Sequence, residues 1–125
     1  KIDTYIQKKN CKNKVIRIEG IKSTEKFYSA FDIFLLPSLY EGLPVVGIEA
    51  QANGVKSLIS SNIDPTVIYS NSVKLLPVNK GTSIWIDNIK VNDRAKKKTQ
   101  SGNYNIEKQY EKLYQYYLDA VKLRG

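Results

Sequence analysis

The stretch of sequence that decides the fold is IFLLPSLYEGLPVVGIEAQANG, residues 33–54. It begins with four consecutive apolar residues, Ile33–Leu36, which do not alternate with polar ones and are followed by a proline. Such a run is typical of a strand that is buried on both faces. We predict a loop over residues 37–44 and a helix over residues 45–53, with Pro44 at its first position and a glycine at its end.

The rest of the chain repeats this alternation of short strands and helices. Further strands are predicted at residues 15–18, 57–60 and 73–76, helices at residues 1–9, 23–31, 82–91 and 93–98, and a turn at residues 101–103. This alternation indicates a parallel sheet with crossover connections. We therefore predict an α/β fold, a Rossmann-like parallel sheet with flanking helices. Ligands bind such sheets at the carboxyl ends of the strands, which directs attention to the loop after Leu36.

The clearest helix is predicted at the end of the chain, from about residue 105 to residue 122. Its apolar residues form one continuous stripe at helical spacing: Ile106, Tyr110, Leu113, Tyr114, Tyr117, Leu118 and Val121. We expect this stripe to pack in the core rather than to bind a ligand.

The composition limits the chemistry that is available. The chain has 125 residues, which suits one domain, with no histidine and a single cysteine, Cys11. Without histidine there is no Ser-His-Asp or Cys-His triad and no usual zinc site, so carboxylates, hydroxyls, lysines and backbone amides remain. A lone cysteine makes no internal disulfide, which indicates a reducing compartment or no redox role.

The formal net charge of +8 suits phosphates, nucleic acids or anionic lipid, although a solvated surface without a partner gives the same balance. The basic clusters at residues 8–17 and 90–98 lack interleaved aromatic residues, so we expect no nucleic-acid partner. We find no signal peptide and no apolar run that is long enough to span a bilayer. We expect a cytoplasmic protein, and we interpret the chain, which begins at Lys1, as part of a longer one.

The loop at residues 37–44 leads into a helix start, where backbone N–H groups are unsatisfied and can bind phosphate. Gly42 allows a phosphate to approach the backbone closely, and Val45 and Val46 offer the first free amides after the proline. This pattern alone is equally compatible with an ordinary connection between a strand and a helix.

Two carboxylates favour a nucleotide sugar as the ligand. Glu41 lies in the loop and Glu49 eight positions later, so that both are expected to face the same crevice. Carboxylates accept hydrogen bonds strongly, and the vicinal hydroxyls of sugars donate them. A phosphate site between two such acceptors matches ribose on one side and a hexose on the other. Taken singly, Glu49 also suits a helix-dipole acid, and Glu41 a solvated loop residue.

Residues 32–54 closely resemble the donor-site signature of GT-B glycosyltransferases of family 4, which are retaining enzymes common in bacterial capsule and exopolysaccharide assembly. The family's two glutamates fall on Glu41 and Glu49. The sequence also resembles the family in segments outside this signature, at residues 15–20, 57–61 and 103–106. The resemblance implies that residues 1–125 are a partial donor-binding domain, the C-terminal half of a GT-B fold truncated at its N-terminus.

The resemblance also implies roles for single residues. Glu49 resembles the glutamate that holds the ribose hydroxyls, and Glu41 resembles the catalytic one, which contacts the donor sugar beside the reacting centre. In this family one stretch contacts the diphosphate through its backbone. The positions that resemble it here are Gly42, Leu43, Val45 and Val46. The remaining donor-binding positions are Ser38, which resembles a polar neighbour of the phosphates, and Gly20 and Ile21, which resemble the wall beside the base.

The resemblance further implies the reaction and its partners. The donor is a nucleotide diphosphate sugar, and the acceptor is a glycan or a lipid-linked glycan held by an N-terminal domain, with peripheral association at the inner face of the membrane. The donor's own phosphate is thought to assist the incoming hydroxyl. No metal or other cofactor is expected, in agreement with the absence of histidine and of an Asp-x-Asp pattern.

The sequence departs from the family pattern at its beginning. The Arg and Lys that reach the diphosphate, the first two strands of the half-domain and the acceptor-binding half are not in it. The lysines of residues 8–14 are not convincing substitutes, and Val55-Lys56 stands where many members have Leu-Pro. We therefore expect the chain to bind the donor weakly and to transfer no sugar by itself.

The missing strands also bear on assembly. In the expected strand order 3-2-1-4-5-6, residues 15–18 are strand 3 and residues 33–36 are strand 4, with strands 1 and 2 between them. The edge of residues 33–36 then lacks its neighbour. Either residues 15–18 pair with it directly, or a second copy of the chain does, and we favour self-association.

Two other functions stay open from the sequence. A non-catalytic nucleotide-binding α/β module with an anionic partner would use the net charge, and a GT-B-like sugar-nucleotide epimerase would use the same fold. The paired glutamates favour the transferase. The sequence has no glycine-rich dinucleotide fingerprint and no Lys-Ser/Thr phosphate loop, which argues against ordinary dehydrogenases and P-loop enzymes.

Overall fold

The computed structural model of the protein describes residues 1–89 and 104–123. Three parallel strands form one sheet in the order β1-β2-β3, with β1 at Ile33–Leu36, β2 at Lys56–Ser60 and β3 at Val73–Leu76. The described helices are α1 at Ile2–Lys8, α2 at Glu25–Ala30, α3 at Val45–Ala52, α4 at Ser83–Ile89 and α5 at Ile106–Lys122, with 3₁₀ turns at Lys12–Lys14 and Pro65–Val67. The predicted α/β, Rossmann-like class is confirmed.

Helices pack on both faces of the sheet, because successive side chains of a strand point to opposite sides. On one face Ile59 of β2 packs with Ile48 of α3. On the other face Leu58 of β2 packs with Leu76 of β3 and Trp85 of α4. The core therefore has three layers, with β2 at its centre and α3 held firmly against one face of the sheet.

The crossover from β1 to β2 follows the prediction with one small correction. Pro44 has an extended backbone, with φ −78° and ψ 100°, and precedes the helix instead of occupying its first position. The helix ends before Gly54, whose φ of +71° is a left-handed conformation that suits glycine. This turn brings the chain back into β2 beside β1.

Two expectations about the first strands are wrong. Residues 15–18 form no strand, and Val15, Ile16 and Ile18 are exposed, because no described strand takes up their backbone hydrogen bonds. β1 is half-buried rather than buried on both faces, and Leu35 is 42% exposed. The reason is its position, since among the described strands β1 pairs with β2 alone.

The expectation about the last helix is half right. α5 has nearly the predicted bounds, and the side chain of Asn105 caps it by accepting a hydrogen bond from the Glu107 amide at 2.9 Å. Its apolar stripe, however, is not core: no residue of α5 is buried. Helical periodicity identifies a helix face that is stabilised by burial. It does not determine whether the packing partner lies in the same part of the chain.

Three further predictions lie outside the described residues. These are the end of the helix predicted at 82–91, the short basic helix at 93–98 and the turn at 101–103.

We predict that the chain self-associates through the outer edge of β1, since residues 15–18 do not close it. An unpaired apolar edge strand is a template for pairing with another chain. Light scattering at several concentrations should show a mass above that of the monomer.

Leu35→Lys should return the chain to monomer, because a charge on an edge strand opposes pairing. The control is Ile86→Lys, which adds the same charge at an exposed position on α4. Association that Leu35→Lys leaves unchanged would contradict the prediction and point to another surface, such as the exposed stripe of α5.

Candidate functional site

The candidate site is built on the loop of residues 37–44, which leaves the carboxyl end of β1 and enters α3. The first helical hydrogen bond runs from the Gly47 amide to the Pro44 carbonyl, at 2.9 Å. The N–H groups of Val45 and Val46 come before it and have no partner within the helix, and both side chains are exposed. The start of α3 thus has two amide donors without a partner in the helix, as a phosphate site requires.

A Cβ added at Gly42 would meet no atom of the described residues within 4 Å. Packing against these residues therefore does not explain why position 42 is a glycine. Leu43, the next predicted contact, is also exposed. The backbone of this part of the loop is open to an approaching ligand.

Glu41 lies in the loop with its side chain exposed, and its carboxylate accepts a hydrogen bond from the Ser38 hydroxyl at 2.9 Å. Ser38, predicted as a neighbour of the phosphates, thus contacts the predicted catalytic carboxylate. The loop has a further tie, because the Asn62 side-chain amide donates to the Leu39 carbonyl at 3.2 Å. The bond between Ser38 and Glu41 lies within the loop, and the bond from Asn62 holds the loop after β1 next to the turn after β2.

Glu49 lies in the second turn of α3 and is half-buried. Its carboxylate accepts a hydrogen bond of 2.9 Å from the hydroxyl of Tyr28 in α2. Burial, and then the hydrogen bond and negative charge of Glu49, raise the pKa of Tyr28 to about 12. The tyrosine therefore stays protonated at neutral pH and remains a donor.

The opposite side of α3 is held by polar contacts as well. Gln51 is fully buried, and its amide bridges the helix to the segment that follows the 3₁₀ turn at Pro65–Val67. The Tyr69 hydroxyl donates to the Ile48 carbonyl at 2.8 Å. Bonds on both sides of α3 thus fix the orientation of Glu49 relative to the sheet.

Among the described residues, no backbone hydrogen bond joins Gly20 or Ile21 to the loop. Gly20 has a φ of +67°, so the chain turns there after residues 15–18. The structure therefore brings the predicted residues of 38–49 together on one strand–helix unit, and no described backbone hydrogen bond links Gly20 or Ile21 to that unit.

Sequence reasoning missed Tyr28, Gln51, Asn62 and Tyr69, all of which support the site through hydrogen bonds. One signal was available for Gln51, a polar residue among the apolar and small residues of α3. The other partners lie 21 to 23 positions away from the groups that they contact, and no local pattern connects them.

Within the described part of the chain, no cluster of three His, Cys, Asp or Glu side chains is arranged to hold a metal ion. The described helices also include none with the length and apolar character needed to cross a membrane.

The candidate site thus belongs to a parallel α/β domain, in which the loop after β1 carries a carboxylate and leads into a helix start with free amides. Residues 1–75 match the family described as "Glycosyl transferases group 1". The chain belongs to this family.

Two curated relatives agree with the family. The chain is 34% identical over 89 residues to "Putative glycosyltransferase EpsF" of Bacillus subtilis (strain 168), a match that covers 70% of this chain and 23% of the relative. It is 26% identical over 122 residues to "UDP-Gal:alpha-D-GlcNAc-diphosphoundecaprenol alpha-1,3-galactosyltransferase" of Escherichia coli, a match that covers 90% of this chain and 32% of the relative. The chain thus spans about a quarter to a third of the length of these relatives. No solved structure matches it significantly.

Proposed function

We propose that this chain is the donor-binding part of a retaining glycosyltransferase of family 4. The enzyme moves a sugar from a nucleotide diphosphate sugar to a glycan or lipid-linked acceptor, in the assembly of capsular, exopolysaccharide or other cell-surface glycans. The observation that carries the proposal is the strand–helix unit of residues 33–52, which combines two carboxylates with an open helix start.

Each part of the donor has a matching group in this unit. The diphosphate binds at the amides of Val45 and Val46, where the helix dipole favours negative charge. Glu49 accepts hydrogen bonds from the ribose hydroxyls, and Glu41 accepts them from the transferred sugar. In this arrangement the anomeric carbon of the donor lies beside Glu41, which is exposed and therefore accessible to it.

The name of one relative supports the nature of the donor and acceptor. The Escherichia coli relative is named for a uridine diphosphate galactose donor and an acceptor linked to diphosphoundecaprenol. We infer the same classes here, a uridine diphosphate sugar and a lipid-linked glycan. We propose that the whole enzyme meets such an acceptor as a peripheral protein at the inner face of the membrane and holds it outside the residues of this chain.

We predict that Glu49→Gln weakens the binding of uridine diphosphate about ten- to a hundredfold. Hydrogen bonds to a charged group are worth roughly 1.5–3 kcal/mol, and the amide keeps the shape of the side chain while removing its charge. Binding can be followed by NMR titration of the amide signals, since the wild-type affinity is itself expected to be weak. Glu111→Gln, at an exposed position on α5, is the matched control. Equal affinity of wild type and Glu49→Gln would remove Glu49 from the ribose site.

A further inference from the structure

We propose that Tyr28 is a positioning residue for Glu49. Its hydroxyl determines how strongly the site prefers a nucleotide whose ribose carries the 2′- and 3′-hydroxyls over one that lacks them. The inference rests on the proposed function, because it presumes a nucleotide at this site. It deepens that proposal by assigning part of the nucleotide specificity to α2, a helix outside the loop and α3.

The first support is the rigidity of the Tyr28 ring. The side chain is only 5% exposed and packs with Ala50, Val55 and Phe34. Its ring meets those of Phe31 and Phe34 edge-on, with centroids 5.7 and 6.1 Å apart. The position of the hydroxyl is therefore set by the packing of α2 against α3 and β1.

The second support is the way in which the hydroxyl meets Glu49. It donates to Oε2 at 2.9 Å and so occupies one of the roughly four lone-pair positions of the carboxylate. The remaining positions are left for other donors. A glutamate on a helix surface otherwise samples several rotamers, and holding one of them in advance reduces the entropy that ligand binding must remove.

The third support is that this bond is separate from the backbone bonds that hold α3. The Glu49 carbonyl accepts a hydrogen bond from the Asn53 side chain at 2.9 Å, and the Ile48 carbonyl accepts one from Tyr69. Tyr28 is thus the partner described for the Glu49 carboxylate itself. Removing its hydroxyl should free the carboxylate without releasing the helix.

The test compares two variants that each remove one tyrosine hydroxyl bound to α3. Tyr28→Phe removes the donor to the carboxylate, and Tyr69→Phe removes the donor to the Ile48 carbonyl. Binding of uridine 5′-diphosphate and of its 2′,3′-dideoxy analogue is measured for wild type, both variants and Glu49→Gln. The readout is the ratio of the two dissociation constants within each protein. A change that only loosens the fold weakens both ligands together and leaves this ratio unchanged.

We expect the wild type to prefer uridine diphosphate by about tenfold or more, the size of a charge-assisted hydrogen bond. In Tyr28→Phe the ratio should fall severalfold toward that of Glu49→Gln, whereas Tyr69→Phe should keep the wild-type ratio. Placing 3-fluorotyrosine at position 28, which retains the hydroxyl, should preserve the ratio and serves as the second variant if Tyr28→Phe folds poorly.

A wild-type ratio in a well-folded Tyr28→Phe would overturn the inference while leaving the proposed function intact. Loss of the ratio with 3-fluorotyrosine at position 28 would overturn it as well. A wild-type chain that binds neither ligand would instead contradict the proposed function, so the two failures are distinguishable.

Discussion

Replacing Gln51 with leucine should lower the free energy of unfolding by about 3–5 kcal/mol, because it leaves several buried or half-buried backbone groups without a partner. The Gln51 amide nitrogen donates to the carbonyls of Gly47 and Val67, at 2.9 and 2.8 Å. Its oxygen accepts from the amides of Tyr69 and Ser70, at 3.1 and 3.2 Å. Leucine has a similar volume and can replace none of these bonds.

A loss of this size is a large fraction of the 5–15 kcal/mol by which domains are typically stable. Chemical denaturation followed by fluorescence of Trp85, the single tryptophan, measures it. Gln7→Leu makes the same exchange on the exposed surface of α1 and should change the stability by less than about 0.5 kcal/mol. If the two variants unfold at the same denaturant concentration, the Gln51 network does not hold α3 as described.

The purified 125-residue chain should transfer no sugar, although it should bind the donor nucleotide. Glu41, the proposed catalytic residue, is exposed, and so are the side chains of Val45 and Val46 at the start of α3, so the described residues leave the proposed reacting centre open to water. Holding donor and acceptor together is worth roughly 7–11 kcal/mol of a reaction barrier. A site that holds only the donor, in open solvent, lacks this lowering of the barrier. It also lacks the exclusion of water that accompanies closure of a complete active site.

This prediction is tested with a panel of uridine diphosphate sugars and a lipid-linked glycan acceptor. Product is followed with a radiolabelled sugar, and nucleotide binding in the same preparation shows that the site is folded. Glu41→Gln is the control for background chemistry. Transfer that wild type catalyses and Glu41→Gln does not would contradict the prediction and show that the chain is an enzyme without further parts.

Local patterns were enough to predict the strand–helix unit at the site. The apolar run of β1, the proline near the start of α3 and the glycine after α3 each act within a few residues. β1, the loop and α3 form where they were predicted, except that Pro44 precedes the helix instead of occupying its first position. The segment of residues 15–18 shows where this reasoning fails. Its β-branched residues favour a strand, but a strand exists only with a partner, and partners are tertiary information.

The same limit applies to burial and to the supporting residues. The stripe on α5 has a clear period, yet its exposure depends on what lies opposite, which the period does not encode. Glu41 and Glu49 were singled out because their residue type and spacing suggest chemistry. Tyr28 carries no such signal, because a tyrosine before an apolar strand has many ordinary roles in packing.

The difference between α3 and the loop before it bears on how one scaffold could come to accept different sugars. α3 is tied to its surroundings on both sides and lies in the core, so substitutions there risk unfolding the domain. Leu39, Tyr40 and Leu43 in the loop are exposed and contribute little to the core. On the proposed assignment, α3 reads the nucleotide end of the donor and the loop reads the sugar end. The nucleotide preference would then be preserved together with the fold, because substitutions in α3 destabilise the domain. The choice of sugar would depend on loop residues that can be substituted at little cost to stability.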